Sequence, residues 1–406
     1  ISNLKFRASW GQLGNENALG KYDFLARIAS YNDMYMGYVQ GAGSNPWTGS
    51  IARALENRSL KWETTDTKNI GFDFGLFGNH LNGNINYYIN ETRDLLITRR
   101  IAPSAGLDNP TLNVGKMRNQ GFELELNWND KINDFEYNVG FNISTIANKV
   151  VALANEDQTI YGVGLKYGTE HFPTQTKVGK PIGAFYLYQA DGIFQSLEEV
   201  QAHKNSKGEL LQPNAQPGDV RFKDMNGDGV IDEDDKTYSG TGIAKVEANL
   251  NLGASYKGFD FSAVIGSAFG NKLYNGIRYY YEGMNSGSNF LKTTLNAWTP
   301  TNTKTDIPRA VFGDPNQNTR ESTRFLENGD FVRLRQVQLG YTLPKALSKH
   351  IYCESIRFYV SAENVFTITG YSGANPEFSQ GVLNSGVDRF TYPFSRSYTV
   401  GAQVSF

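Results

Sequence analysis

The chain has 406 residues, with 39 Lys plus Arg against 41 Asp plus Glu and a formal net charge of -2, so it has no global field to hold nucleic acid or an anionic membrane surface. Its one cysteine, Cys353, excludes an internal disulfide framework and any multi-cysteine metal site. Every apolar stretch is broken within a few residues by Gly, Asn, Asp, Arg or Lys, so a membrane-spanning helix of about 20 apolar residues is excluded, and a membrane would be crossed by a barrel.

The opening residues, Ile1-Ser2-Asn3-Leu4-Lys5-Phe6, contain no initiator Met, no charged leader and no apolar core of a signal peptide. They read as an internal cut, with a first strand over Leu4 to Trp10. In residues 81 to 90, Leu81, Gly83, Ile85, Tyr87 and Ile89 lie on one face of a strand, and Asn82, Asn84, Asn86, Tyr88 and Asn90 on the other. The alternation recurs with Phe122, Leu124, Leu126 and Trp128 against Glu123, Glu125 and Asn127. It recurs with Phe135, Tyr137, Val139, Phe141 and Ile143 against Glu136, Asn138 and Asn142. Leu250 to Tyr256, Phe259 to Ile265 and Tyr398 to Phe406 repeat it.

The gaps between strands alternate as well. Short turns fall around Gly78 and Asn79, at Asp130 to Asn133 and at Lys257 and Gly258, with a Pro344-containing turn before Ile356. Between them lie long segments, roughly residues 92 to 118, 146 to 246, 269 to 330 and 366 to 395, as expected of an outer-membrane barrel with long extracellular loops. This rhythm predicts an all-β fold, a transmembrane antiparallel β-barrel with about ten up-and-down spans in this chain. A soluble all-β protein with large insertions would share the alternation along each strand but does not account for the rhythm of the gaps. Thr399, Gly401, Val404 and the terminal Phe406 resemble the signal read by the outer-membrane assembly machinery.

Ser9-Trp10-Gly11-Gln12-Leu13-Gly14-Asn15, Leu60-Lys61-Trp62-Glu63, Asn69 through Leu76 and Leu81-Asn82-Gly83 resemble stretches of the SusC/RagA family of TonB-linked transporters of Bacteroidetes. So do Val114-Gly115-Lys116-Met117-Arg118-Asn119-Gln120-Gly121-Phe122-Glu123, the Gly218-to-Asp235 segment, and Gly329-Asp330-Phe331-Val332-Arg333-Leu334-Arg335. Leu339-Gly340-Tyr341-Thr342-Leu343-Pro344, Asn364-Val365-Phe366 and Thr369-Gly370-Tyr371 complete a series in the family's order along the whole chain. The resemblance implies the carboxyl-terminal portion of a barrel of about 22 strands, a plug domain, energy from TonB, and a SusD-like surface lipoprotein acting as a lid. No plug and no first half of the barrel are present in these residues. The expectation is that the first strand pairs with an upstream strand and that Val400 to Phe406 close against the first strand of the complete barrel.

One metal site is specified by spacing. Within the long segment 146–246, residues 224–235 match a twelve-residue calcium loop: oxygen ligands from Asp224, Asn226 and Asp228, a turn at Gly229 and the Val230 carbonyl. Asp232 follows, directly or through water, and Asp235 stands where a sensor loop has Glu. The flanks look extended, which favours a structural Ca2+ clip over a switching sensor. An ion-free Asx-rich turn is the alternative.

Enzymatic signatures are absent: His80, His171, His203 and His350 lack metal-ligand spacing, and no nucleophile elbow, phosphate loop or paired-histidine zinc motif occurs. Tyr274, Tyr279-Tyr280-Tyr281 and Trp298 are compatible with sugar stacking or lid packing, with an aromatic girdle, or with loop cores; no substrate residue is assigned. The function expected is TonB-dependent import of glycan or peptide fragments across the outer membrane. The alternatives are a passive porin, which would lack an upstream plug, and a soluble or surface β protein that binds carbohydrate, which would partition into aqueous buffer.

Overall fold

The computed structural model describes every residue except 18, 21, 27, 32–48, 100, 155–157, 168, 285–288, 351 and 379. Ten long strands run through it: β1 Asn3–Asn15, β2 Glu63–Leu76, β3 Leu81–Arg93, β4 Lys116–Ile132 and β5 Phe135–Thr145, then β6 Val246–Tyr256, β7 Phe259–Phe269, β8 Phe331–Thr342, β9 Ser355–Thr369 and β10 Ser397–Ser405. Each pairs antiparallel with its neighbour in sequence, and a short strand, Ala147–Ala152, adds to β4. The sheet does not close on itself: β1 pairs with β2 and β10 with β9, leaving one free edge at each end among the described residues.

In-register pairing converts the alternation in the sequence into two continuous faces. Leu4, Phe74, Gly83, Leu126, Phe141, Leu250, Ile265, Leu334 and Phe366 form one cross-strand row from β1 to β9. The next row, on the opposite face, reads Lys5, Asp73, Asn84, Glu125, Asn142, Asn249, Gly266, Arg333 and Thr367. On the apolar face Leu4, Phe6, Ile70, Phe122, Leu339, Phe358 and Val400 are exposed. On the polar face side chains hydrogen-bond to one another. Asn84 Nδ2 and Asn127 Nδ2 donate to the Glu125 carboxylate at 2.9 Å each, and Asn249 Nδ2 donates to Asn142 Oδ1 at 2.9 Å.

Three of the four turns at one edge of the sheet are short because their residues accept left-handed backbone, and the fourth, 343–354, carries a short helix, Lys345–His350. Lys257 (φ 46°) and Gly258 (φ 88°) make the two-residue link from β6 to β7, the positive-φ geometry that matches strand twist. A Cβ on Gly258 would also stand 2.7 Å from the Thr342 carbonyl oxygen. A row of rings, Phe135, Tyr256, Phe259, Tyr341 and Phe358, lines this edge in register.

At the other edge lie the described residues of the segments 16–62, 94–115, 146–245, 270–330 and 370–396. The first of these was not anticipated from the sequence; β1 runs on to Asn15, well past the Trp10 that the apolar pattern suggests. The last three fold together. Ile160–Tyr161, Thr174–Thr176, Ala184–Leu187 and Thr237–Thr241 form a four-stranded sheet, while Lys272–Asn275 pairs with Leu326–Asn328 and, in parallel, with Val387–Asp388. Between them Leu165, Phe185, Leu187, Tyr274, Tyr279, Phe325 and Val387 form a fully buried core. Tyr274 and Tyr279 are therefore loop-core residues, as is Trp298, whose Nε1 donates to Gln195 Oε1 at 2.9 Å. Tyr280 and Tyr281 pack on Phe390.

Candidate functional site

The loop body carries the calcium-type segment on its surface, between Val220–Phe222 and Thr237–Thr241. Gly227 (φ 79°) and Gly229 (φ 93°) let the backbone double back around Asp224, whose carboxylate accepts from Gly227 N at 2.6 Å and Gly229 N at 2.9 Å. Asp235 is buried and accepts from Met225 N at 2.6 Å and Asp232 N at 2.9 Å, closing the loop from the far end. Asn226 Oδ1 accepts from Asp228 N, Asp228 Oδ1 accepts from Val230 N, and Asp232 Oδ1 accepts from Asp234 N. Asn226 turns its Nδ2 toward Asp228 Oδ2, at 3.0 Å. The donor set has the hard oxygens that calcium takes, but its side chains are spread over the loop's own N–H groups. Among the described residues no group of three or more His, Cys, Asp or Glu converges on one point.

At the end of this loop, a short turn, Glu233–Asp235, delivers Glu233 and the following Lys236 into a cavity of about 620 Å³ shared with His171, Tyr188, Arg320 and Glu321. Lys236 Nζ pairs with Glu321 at 2.5 Å and with Glu233 at 2.6 Å. The other Glu321 oxygen bonds the His171 ring, and Tyr188 O–H donates to Glu233 at 3.2 Å. Arg320 lies over the Tyr188 and Phe222 rings, 4.9 and 4.6 Å from their centroids. Burial works to neutralise Glu321, but the His171 and Lys236 contacts outweigh it and hold its carboxyl below the usual range. Burial likewise works against the Lys236 ammonium, and Glu321 and Glu233 raise it above the ordinary lysine value. Burial pushes the Tyr188 phenol up, reinforced by Glu233. Burial also lowers the Arg320 guanidinium. This cluster is invisible to motif reading, since His171 and Glu321 are 150 positions apart.

Below the loop body, the polar face of the sheet holds the last long connection. Arg333, 3% exposed, donates to Thr367 Oγ1 at 2.8 Å, to Glu377 Oε2 at 2.7 Å and to Asn375 Oδ1 at 2.6 Å. Its guanidinium sits over the Phe394 ring at 4.9 Å. A register shift between Leu334 and Gln336 places Arg335 beside it, and Arg335 Nη2 donates to Glu377 Oε1 at 3.0 Å. The connection 370–396 is thus pinned to the amide-rich face and not to the apolar one. That contact distinguishes the two faces: the amide-rich side is the one that receives the loop.

A ten-stranded antiparallel meander with one amide-rich face, one bare apolar face and all its long connections at one edge is part of the wall of a transmembrane β-barrel. A family model described as "TonB dependent receptor-like, beta-barrel" matches residues 1–365, and the chain belongs to that family. It is 29% identical over 415 residues to "TonB-dependent receptor P3" of Formosa agariphila, covering 100% of this chain and 40% of that protein. It is 27% identical over 417 residues to "TonB-dependent receptor SusC" of Bacteroides thetaiotaomicron, covering 100% of this chain and 38% of that protein. The solved structure of the RagAB peptide transporter superposes with a TM-score of 0.78 at 26% identity, over 100% of this chain and 41% of that chain. The chain therefore spans about 40% of the length of the curated relatives it matches.

Proposed function

We propose that the protein containing this chain imports glycan or peptide fragments across the outer membrane with energy from TonB, and that a SusD-like surface lipoprotein seats on its long loops. The observation that carries this reading is the two-faced wall together with a single loop body at one edge, built on a family whose relatives bear the names TonB-dependent receptor and SusC. The apolar rows would meet lipid, because the opposite orientation would place Glu123, Glu125 and Arg333 in hydrocarbon, where a charge costs roughly 2–4 kcal/mol. The loop body then lies on the extracellular side, and the ring row at the short-turn edge serves as the inner aromatic girdle. No step in this function breaks a covalent bond; binding and gating do the work. The test is growth of the source bacterium on candidate glycans or peptides with the gene deleted, and with the gene intact but TonB removed. Loss of uptake in both strains supports active import; undiminished uptake without TonB would leave a passive pore.

We further infer that residues 224–235 bind one structural calcium ion, through Asp224, Asn226, Asp228, the Val230 carbonyl, Asp232 and Asp235. What supports it is donor chemistry and spacing, with Asp224 and Asp235 already held at the two ends of the loop. Titration of the purified protein with calcium, read by calorimetry, tests the assignment.

A further inference from the structure

The apolar face of the wall changes character at one level and in one sector. From the short-turn edge toward the loops, the rows of that face run Phe74, Phe72 and Ile70 and then Lys68 and Asp66 on β2. On β3 they run Ile85, Tyr87 and Ile89 and then Glu91 and Arg93, and on β4 Leu124 and Phe122 and then Gln120, Arg118 and Lys116. The same face of β6, β7, β8 and β9 stays uncharged as far as the loop edge. Arg118 stands ten positions from Trp128 along β4, about 26 Å of height at the usual strand rise and tilt. A lipid-facing band is about 25 Å tall, so these charges lie at the outer boundary of the hydrocarbon, where lipid headgroups begin.

Cations outnumber carboxylates in this sector. Asp66 pairs with Arg93 and accepts from Gln12 Nε2 at 2.7 Å. Glu91 is shared by Lys116 Nζ at 2.8 Å and Arg118 Nε at 2.9 Å. Lys68 and Lys149 are exposed, and neither forms an ion pair among the described residues. Lys149, on the short strand Ala147–Ala152, lies directly across from Arg118 and therefore on the same face. Like charges placed opposite one another repel, and an anion between them removes the cost. Lys68 and Arg118 are two strands and one row apart, about 12 Å between Cα atoms by sheet geometry, which two long side chains close around one headgroup. Below the charges, a groove of about 440 Å³ is lined by Ala8, Trp10, Ile70, Tyr87, Ile89 and Lys68. Trp10, Lys68 and Ile89 share one row, so the groove runs up to the charged level.

We propose that this sector of the wall binds a phosphorylated lipid of the outer leaflet, its headgroup held by Lys68, Arg118 and Lys149 and an acyl chain lying in the groove. The inference rests on the orientation of the apolar face toward lipid and is independent of the cargo. Phosphate oxygens accept from several cations at once, which answers the excess of positive charge; a neutral headgroup would leave Lys149 facing Arg118. A free anion gains nothing from the groove, whereas each methylene of a chain buried there adds to the affinity. The groove lies on the lipid side of the wall, where a soluble protein does not reach it.

The experiment uses the full-length transporter, stripped of lipid in detergent and read by native mass spectrometry. The probes are diphosphoryl lipid A, the same lipid with its phosphates removed, and inorganic pyrophosphate. Diphosphoryl lipid A should bind saturably, the phosphate-free form at least about tenfold more weakly, and pyrophosphate not detectably. Lys68→Gln and Lys149→Gln should each weaken lipid binding about fivefold, as for one cation at an anionic surface, and the double variant more than either. Lys257→Gln, at the short-turn edge, should bind as the parent does. Both headgroup lysines are exposed, so thermal midpoints should not move, and if one variant fails to fold the other decides. The proposal is overturned if the phosphate-free lipid binds equally well, if pyrophosphate binds as tightly as the lipid, or if the lysine variants keep the parent's affinity. A reversed wall would show separately, as a Leu126→Arg variant that folds into vesicles as the parent does.

Discussion

Lys236 and Glu321 form an ion pair of 2.5 Å in which both side chains are nearly inaccessible, at 6% and 5% exposure, joining two long connections across 85 positions. The same lysine follows directly on the calcium-type loop, so one buried contact ties that loop to the charged cavity. Buried pairs of this kind are costly to break from one side, because the remaining charge loses its partner while still out of water.

Substituting Lys236→Met should therefore destabilise the loop body by about 3–5 kcal/mol, while the double variant Lys236→Met, Glu321→Met should be milder than Lys236→Met alone. Hydrogen exchange at Ala184–Leu187 and Thr237–Thr241 measures this. Equal loss in the single and double variants would show that the pair contributes nothing specific.

The pH dependence of that region has a defined sign. Glu321 titrates below its ordinary value of 4.5 when folded, so its stabilisation is complete above that value and is lost as pH falls through the lower folded one. Lys236 titrates above 10.5 when folded, so its contribution is complete below that value and is lost as pH rises through the higher folded one. The contribution of this pair to exchange protection should be flat between these limits and fall on both sides.

Arg333→Met should release the connection 370–396 from the wall while preserving the aliphatic stem of the side chain. Glu377 would keep Arg335, so the expected cost is about 2 kcal/mol, less than for a wholly orphaned charge. Limited proteolysis of folded protein should cut within 371–396 faster in the variant. Unchanged cutting would mean that Tyr371, which donates to Asp388 Oδ2 at 2.7 Å, and the Val387–Asp388 pairing hold the segment by themselves.

The two faces of the wall should respond oppositely to charge. Leu126→Arg places a cation on the apolar row and should cost roughly 2–4 kcal/mol for folding into lipid vesicles. Asn251→Arg, on the amide-rich face, should stay within about 0.5 kcal/mol, as for an ordinary wetted surface. Denaturant titration of vesicle-refolded full-length protein reads both, and equal costs would contradict the assignment of faces.

Calcium should raise the stability of the loop body by about 2.7 kcal/mol at a hundred times its dissociation constant. Asp228→Ala should abolish the gain with little effect on the ion-free protein, since Asp228 is exposed and, among the described residues, accepts only from its loop neighbours Val230 N and the Asn226 amide. Elemental analysis after dialysis should find one calcium per chain, and none would refute the assignment.

The sequence by itself determined the wall. A side-chain period of two, read with turn residues such as Lys257-Gly258, is a local property of the chain, and pairing neighbouring strands in order needs no further information. That is why the ten spans and four of the five long connections were legible, and the oxygen-donor spacing of 224–235 with them. The missed connection, 16–62, lies after a strand whose alternation weakens beyond Trp10. The irregular connections follow another rule: with no period, nothing local distinguishes Tyr274, fully buried, from Tyr392, 87% exposed. His171 with Glu321, Lys236 with Glu321 and Arg333 with Glu377 are joined only when distant segments meet, and each places opposite charges together where burial makes an unpaired charge costly. Only tertiary structure decided those contacts, along with the side of the sheet on which the loops rest, because desolvation depends on everything packed around a group and leaves no spacing in the chain to read.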